Sequence, residues 1–147
     1  MAVHLLDVNV LVALLWPTHD QHAAAQRWFN AHAASGWATT PFTQAGFIRV
    51  SSNPVFTAQA VPPREAVRAL RNSLRHPAHR FIADDRPYLE ACGPLLPHLD
   101  GHRQVMDAYL LGIAAHHRLR VVSFDRGLSH LARLADWRHV DLLSAGH

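Results

Sequence analysis

Apolar positions in this chain follow two spacings: short continuous runs, and longer stretches with an apolar residue every three or four positions. The short runs, at about residues 3–7, 37–40, 79–83, 120–124 and 139–143, are apolar or β-branched and predict five strands. Helical patterns fill the intervals. One continues from the first strand over Asn9–Trp16 and stops at Pro17. Thr18 or Asp20 can cap the next, at about residues 21–34, which Gly36 ends. Residues 43–51 carry Phe47, Ile48 and Val50 and stop before the turn signal Asn53-Pro54. A helix over about residues 63–75 has proline in its first turn, as helices allow. Others cover about 87–92, 102–117 and 127–135. Strands alternating with helices throughout predict an α/β fold with a mostly parallel central sheet covered on both faces. With 147 residues and no internal repeat or linker, one domain over residues 1–147 is expected.

Three acids stand out against this frame. Asp7 directly follows the run Val3–Leu6, Asp125 directly follows Val121–Phe124, and Asp107 opens an apolar helix. Ligands of open α/β sheets gather outside the carboxyl ends of the strands, so carboxylates distant in sequence can converge there. Three carboxylates in one crevice repel unless a cation joins them, which points to a hard divalent metal and to phosphate chemistry. A position near a helix start stabilises the ionised Asp107 by about 0.3 to 1 kcal/mol. Asn9 opens the first helix and can either orient Asp7 or a water on the metal, or simply cap the helix. Asp84 and Asp85 precede Pro87 and read as a solvated turn outside the site.

Composition narrows the chemistry further. All fourteen basic residues are arginine, so mechanisms that need a lysine, such as a Walker P-loop or a Schiff base, are excluded. The formal charge of +3 fits a polyanionic partner. No run approaches the roughly 18 apolar residues of a membrane span, and no charged leader precedes the first one, so a soluble, cytoplasmic protein with no membrane association is expected. The lone Cys92, in apolar surroundings, reads as a packed thiol. Arg64, Arg68, Arg71 and Arg75 line one helical face and can follow a phosphate backbone or simply face solvent, while Arg49 and Arg126 stand closer to the acid motifs. Zinc is not expected: Gly101 separates His98 from His102, and the adjacent His116 and His117 should point to different faces. Trp16, Trp28, Trp37 and Trp137 read as core residues.

Four segments occur in order: Leu5-Leu6-Asp7-Val8-Asn9-Val10-Leu11, Thr43-Gln44-Ala45-Gly46-Phe47-Ile48-Arg49-Val50, Asp107-Ala108-Tyr109-Leu110-Leu111 and Ser123-Phe124-Asp125-Arg126-Gly127. Together they closely resemble a PIN domain, and more narrowly the VapC ribonuclease toxins of type II toxin-antitoxin pairs, from about Val3 to Leu143. The resemblance implies a three-layer α/β/α nuclease that binds Mg2+ or Mn2+ and cuts structured RNA such as transfer or ribosomal RNA. It also implies a homodimer and inhibition by a VapB antitoxin. Asp7 and Asp107 correspond to the principal metal ligands and Asp125 to the late acid of the cluster; Arg49 and Arg126 are candidates for contact with RNA or antitoxin. The chain departs from the family early in the third helix, where Thr43 and Gln44 stand in place of a glutamate. Gln44 can hold a water by hydrogen bonding but adds no charge, which favours one metal ion over two.

Two other classes compete. Phosphotransferases with an aspartate nucleophile after the first strand want an acid where this chain has Asn9, and a lysine that it lacks. A PIN-like module that binds RNA or antitoxin without cutting remains compatible with Gln44.

Overall fold

The computed structural model describes residues 2–144; the ends of the expected domain, Met1 and residues 145–147, lie outside them. Five parallel strands, β1 (His4–Leu6), β2 (Trp37–Thr39), β3 (His79–Phe81), β4 (Arg120–Ser123) and β5 (Val140–Leu142), form one sheet in the order β3-β2-β1-β4-β5. Seven helices connect them: α1 (Val8–Leu15), α2 (His22–His32), α3 (Pro41–Ser51), α4 (Pro63–Ser73), α5 (Tyr88–Cys92), α6 (Gln104–His116) and α7 (Arg126–Leu134). All five expected strands are present, and each expected helix is found within a few residues of its predicted ends.

Period-2 alternation explains the layers. In register across the sheet, Leu5, Ala38 and Val121 point to one face and pack with Leu95, Leu110, Leu111, Leu128 and Leu131 under α5, α6 and α7. Their neighbours Leu6, Trp37 and Val122 point to the other face and meet Val10, Leu11, Trp28, Phe47 and Leu70 under α1 to α4. Both faces of the central strands are therefore dry, as a parallel sheet requires. Trp28 and Trp37 are core residues, Trp16 stacks on Phe47 while its Nε1 donates to Ser51 Oγ at 2.8 Å, and Cys92 is buried. The close approach of α6 to α5 depends on Gly112, where a side chain would overlap the Ala91 carbonyl.

Local chemistry shifts some boundaries. α3 begins at Pro41, not Thr43, because Thr40 is its cap: Thr43 N donates to Thr40 Oγ1 at 3.2 Å, and Thr40 N donates to Thr43 Oγ1 at 2.9 Å. Neither Thr18 nor Asp20 caps α2; consecutive turns from Trp16 to His22 place Gln21 at the cap position, with no side-chain bond. Asp84 is no solvated turn residue, since its Oδ2 accepts from Phe42 N at 3.1 Å at the start of α3. α6 and α7 each end in a Schellman turn with a non-glycine residue in the left-handed region, Arg118 (φ 58°) and Asp136 (φ 60°). After α6, Leu119 N donates to Ala114 O at 2.8 Å and Arg118 N to Ala115 O at 3.2 Å. His117 is thus the helix cap rather than a helical residue, and its ring turns back beside that of His116. The two histidines converge, contrary to the expectation from helical spacing.

The chain leaves β1 towards β2 and β3, then returns to add β4 on the other side of β1. The reversal opens a crevice at the carboxyl ends of β1 and β4, where α/β sheets bind ligands.

Candidate active site

Asp7 is the residue after β1 and the cap of α1: its backbone is extended and its Oδ1 accepts from Val8 N at 2.7 Å. Its backbone N–H donates to Val122 O at 3.0 Å, which ties the end of β1 to β4. The parallel register Leu6 to Val122 brings Ser123, the last residue of β4, beside it. Ser123 Oγ donates to Asp7 Oδ2 at 2.7 Å and accepts from Asp125 N at 2.9 Å and from Asn9 Nδ2 at 3.2 Å, which uses its full capacity of one donor and two acceptor sites. Asn9 also accepts from Phe124 N at 3.2 Å through Oδ1. Asn9 is therefore neither a helix cap nor bonded to the Asp7 carboxylate; it bridges α1 to the end of β4. Sequence reasoning missed Ser123, because a serine ending an apolar run carries no signal until the register sets it opposite Asp7.

Asp125 caps α7, its Oδ1 accepting from Gly127 N at 2.7 Å and Leu128 N at 3.4 Å. Asp107 lies in the first turn of α6. The charges of these groups act on one another. Burial, then Asp7, then Asp125 push the Asp107 carboxyl up to about 7. Burial also raises the Asp7 carboxyl; the bonds from Ser123 and Val8 oppose this, and Asp125 adds to it. Among the described residues, no arginine or histidine is hydrogen-bonded or ion-paired to any of the three. A cluster of this kind, all oxygen donors with unrelieved repulsion, fits a hard divalent cation. No set of one oxygen from each of the three lies mutually within 4.8 Å, so an ion joining all of them would need a carboxylate to move or a water to bridge.

The other candidates have more local partners. Gln44 Nε2 donates to Thr39 Oγ1 at 3.0 Å, and that hydroxyl also meets His79 Nε2 at 2.8 Å, so the amide that stands for a carboxylate is tied to the end of β2. Arg49 is exposed, with its guanidinium 5.4 Å from the ring centre of Phe56. Arg126 is exposed in the first turn of α7, next to Asp125. Arg64, Arg68, Arg71 and Arg75 are all exposed on or just beyond α4.

A parallel sheet with its switch point between β1 and β4 and three acids around that point defines a class of nuclease-like α/β proteins, and the PIN-domain model matches residues 4–134: the chain belongs to the PIN-domain family. Within that family it is similar to Ribonuclease VapC38 of Mycobacterium tuberculosis, at 44% identity over 140 residues, 95% of this chain and 97% of the relative. It is also similar to Ribonuclease VapC39 of the same species, at 42% identity over 128 residues, 87% of this chain and 92% of the relative. Among solved structures, Mycobacterium tuberculosis VapC20, described as a sarcin-ricin loop cleaving toxin, superposes with a TM-score of 0.66 at 17% identity, covering 93% of this chain and 98% of that one. VapBC2 of Rickettsia felis, bound to a DNA fragment from its promoter, gives 0.66 at 12% identity, covering 97% and 99%. Among the described residues, no helix is long and apolar enough to cross a membrane.

Proposed function

We propose that this chain is a metal-dependent endoribonuclease of the VapC kind, a single nuclease domain that acts in the cytoplasm as the toxin of a type II toxin-antitoxin pair. The observation that carries the reading is the convergence of Asp7, Asp107 and Asp125 at the switch point of a PIN fold, with no basic side chain among the described residues paired to them. In this reading the three aspartates hold Mg2+ or Mn2+. When bound, the ion supplies charge neutralisation on a phosphodiester and lowers the pKa of water.

The chain's own residues do the rest. Ser123 fixes the rotamer of Asp7 by donating to one of its oxygens, and Asn9 keeps the floor of the crevice rigid by bridging α1 to β4. Asp125 is anchored through Oδ1 by two backbone N–H groups, which leaves its second oxygen for the ion. Arg126 and Arg49 hold RNA phosphates by bidentate pairing. No nucleophilic side chain is required. The natural substrate class is structured transfer or ribosomal RNA, the protein works as a homodimer, and a VapB-type antitoxin restrains it. The wide likeness to proteins named ribonuclease supports an enzyme over a module that only binds.

The test is incubation of purified protein with total transfer and ribosomal RNA in Mg2+ or Mn2+, beside an EDTA control and Asp107→Asn, with cleavage ends mapped. Discrete cuts confined to the metal-containing wild-type reaction are expected. RNA retained in a gel shift without cleavage would replace the enzyme by a binding module, with Gln44→Glu as the next variant.

A further inference from the structure

At the opposite end of α6 from Asp107, Asp85, His116 and His117 bring one ligand atom each to within 4.8 Å of one another. His117 Nε2 lies 2.9 Å from Asp85 Oδ1, and the two imidazole rings stand 4.9 Å apart at 79°. The cleavage chemistry has no use for these groups. His116 lies nine positions beyond Asp107, about 13 Å along the helix. We propose that they form a second metal site, separate from the carboxylate crevice, which takes a borderline transition ion, Zn2+, rather than Mg2+.

Donor type sets the choice of ion. Two imidazoles and one carboxylate form a nitrogen-rich set that suits Zn2+, whereas Mg2+ demands oxygen. The local backbone favours a cation as well, because the last carbonyls of α6 carry the negative end of the helix dipole. The Schellman turn through Arg118 ends α6 at His116, and the ring of His117 stands beside that of His116. Asp85 belongs to the connection between β3 and α5, and the ion would clip that connection to the end of α6. Three protein ligands leave a fourth position for water.

Two adjustments are needed. Ligands at Zn2+ distances stand about 3.4 Å apart, so the His117–Asp85 pair, at 2.9 Å, opens slightly and releases its shared proton to solvent, while the remaining pairs, within 4.8 Å, settle to that spacing. Asp85 and His116 are exposed and His117 is half-buried, so they can do so without moving the core. Arg86 Nε donates to His116 Nε2 at 2.7 Å and must give up that bond; its Nη1 keeps Glu90 Oε1 at 2.9 Å.

The experiment is a titration of untagged full-length protein with Zn2+ by calorimetry and with Co2+ by visible absorption, in the wild type, Asp107→Asn, His116→Gln, His117→Gln and Arg86→Gln. Expected are the strong visible bands of tetrahedral cobalt in both wild type and Asp107→Asn, with one Zn2+ equivalent in Asp107→Asn and a further, weaker one at the carboxylate crevice of the wild type. His116→Gln and His117→Gln should each weaken binding by at least about tenfold, the loss that even an outer partner of a metal ligand causes. Arg86→Gln should tighten it by releasing His116. Tetrahedral cobalt bands that survive both histidine variants, bands that disappear with Asp107→Asn, or no uptake of either ion would each overturn the proposal.

Discussion

Ser123 Oγ donates to Asp7 Oδ2 across the seam between β4 and β1, joining residues 116 positions apart. The same hydroxyl serves the Asp125 backbone and Asn9, so three parts of the crevice share one atom. Ser123→Ala therefore removes the orientation of Asp7 and leaves two donors without their acceptor. With the fold retained, cleavage should fall by about 10- to 100-fold and the Mg2+ requirement should rise, as happens when the outer partner of a metal ligand is lost. Single-turnover cleavage across a Mg2+ series measures both; unchanged rates would separate Ser123 from the chemistry.

Asp107→Asn should divide stability from activity. In metal-free protein above pH 7, where Asp107 is ionised, the substitution removes one of three mutually repelling carboxylates. It should stabilise the fold by about 1 to 2 kcal/mol, or about 3 to 8 °C in Tm, while abolishing cleavage. Thermal unfolding in EDTA checks the first part and the RNA assay the second. A lower Tm would mean that Asp107 is held by contacts stronger than the repulsion.

A pH dependence follows from Asp141. Its carboxylate accepts from Arg120 Nε at 3.0 Å and Nη2 at 2.6 Å, and from His4 Nε2 at 2.8 Å. Burial alone would raise this carboxyl, but the bonds from Arg120 and His4 outweigh it and hold the group below its ordinary value of 3.8. His4 goes the other way from a typical paired histidine: burial pushes its pKa down and outweighs Asp141, so the neutral ring donates through Nε2. Asp141 binds fewer protons folded than unfolded, so its contribution is full above pH 3.8 and is lost as the pH falls through the folded value. Asp141→Asn should cost about 1 to 2 kcal/mol at pH 7. The gap to wild type should close as the pH falls below about 4. Denaturant unfolding across pH tests this, and the site carboxylates, common to both proteins, cancel in the difference.

Arg118→Gly addresses the turn after α6. Arginine in the left-handed region carries a steric cost of about 1 to 2 kcal/mol that glycine avoids, partly offset by the greater freedom of glycine in the unfolded chain. A gain of about 0.5 to 1 kcal/mol, or about 2 °C in Tm, is expected. Calorimetry of the two proteins is sufficient, and a loss would point to contacts made by the arginine side chain.

What the sequence disclosed and what it withheld divide along physical lines. The central strands were legible because Val3–Leu6 and Val121–Phe124 each have three apolar residues in four, without strict alternation, and that pattern has few structural uses apart from a doubly covered strand. Asp7, Asp107 and Asp125 were legible because charge at the end of an apolar run is conspicuous. Ser123 was not, since its role depends on interstrand register, a property of two strands rather than one. The convergence of His116 and His117 was hidden for a different reason: helical spacing assumes that the helix continues, and α6 stops between them. Thr40, which the sequence pattern places at the end of the second strand, proved to be half of a capping box. Asp84 and Asp85 were read together, yet one braces the start of α3 and the other faces His117.

The position of β4 in the chain has a bearing on how the protein is made. Translation delivers residues at about 5 to 20 per second, and Asp7 emerges at the start, long before Ser123 and Asp125 exist to face it. A nascent chain that has completed β1, β2 and β3 holds only half of the crevice, with Asp7 lacking both its hydroxyl donor and the neighbouring acid. The centre is complete only once β4 docks against β1, so the unfinished chain cannot assemble its own acidic centre before synthesis has passed Asp125.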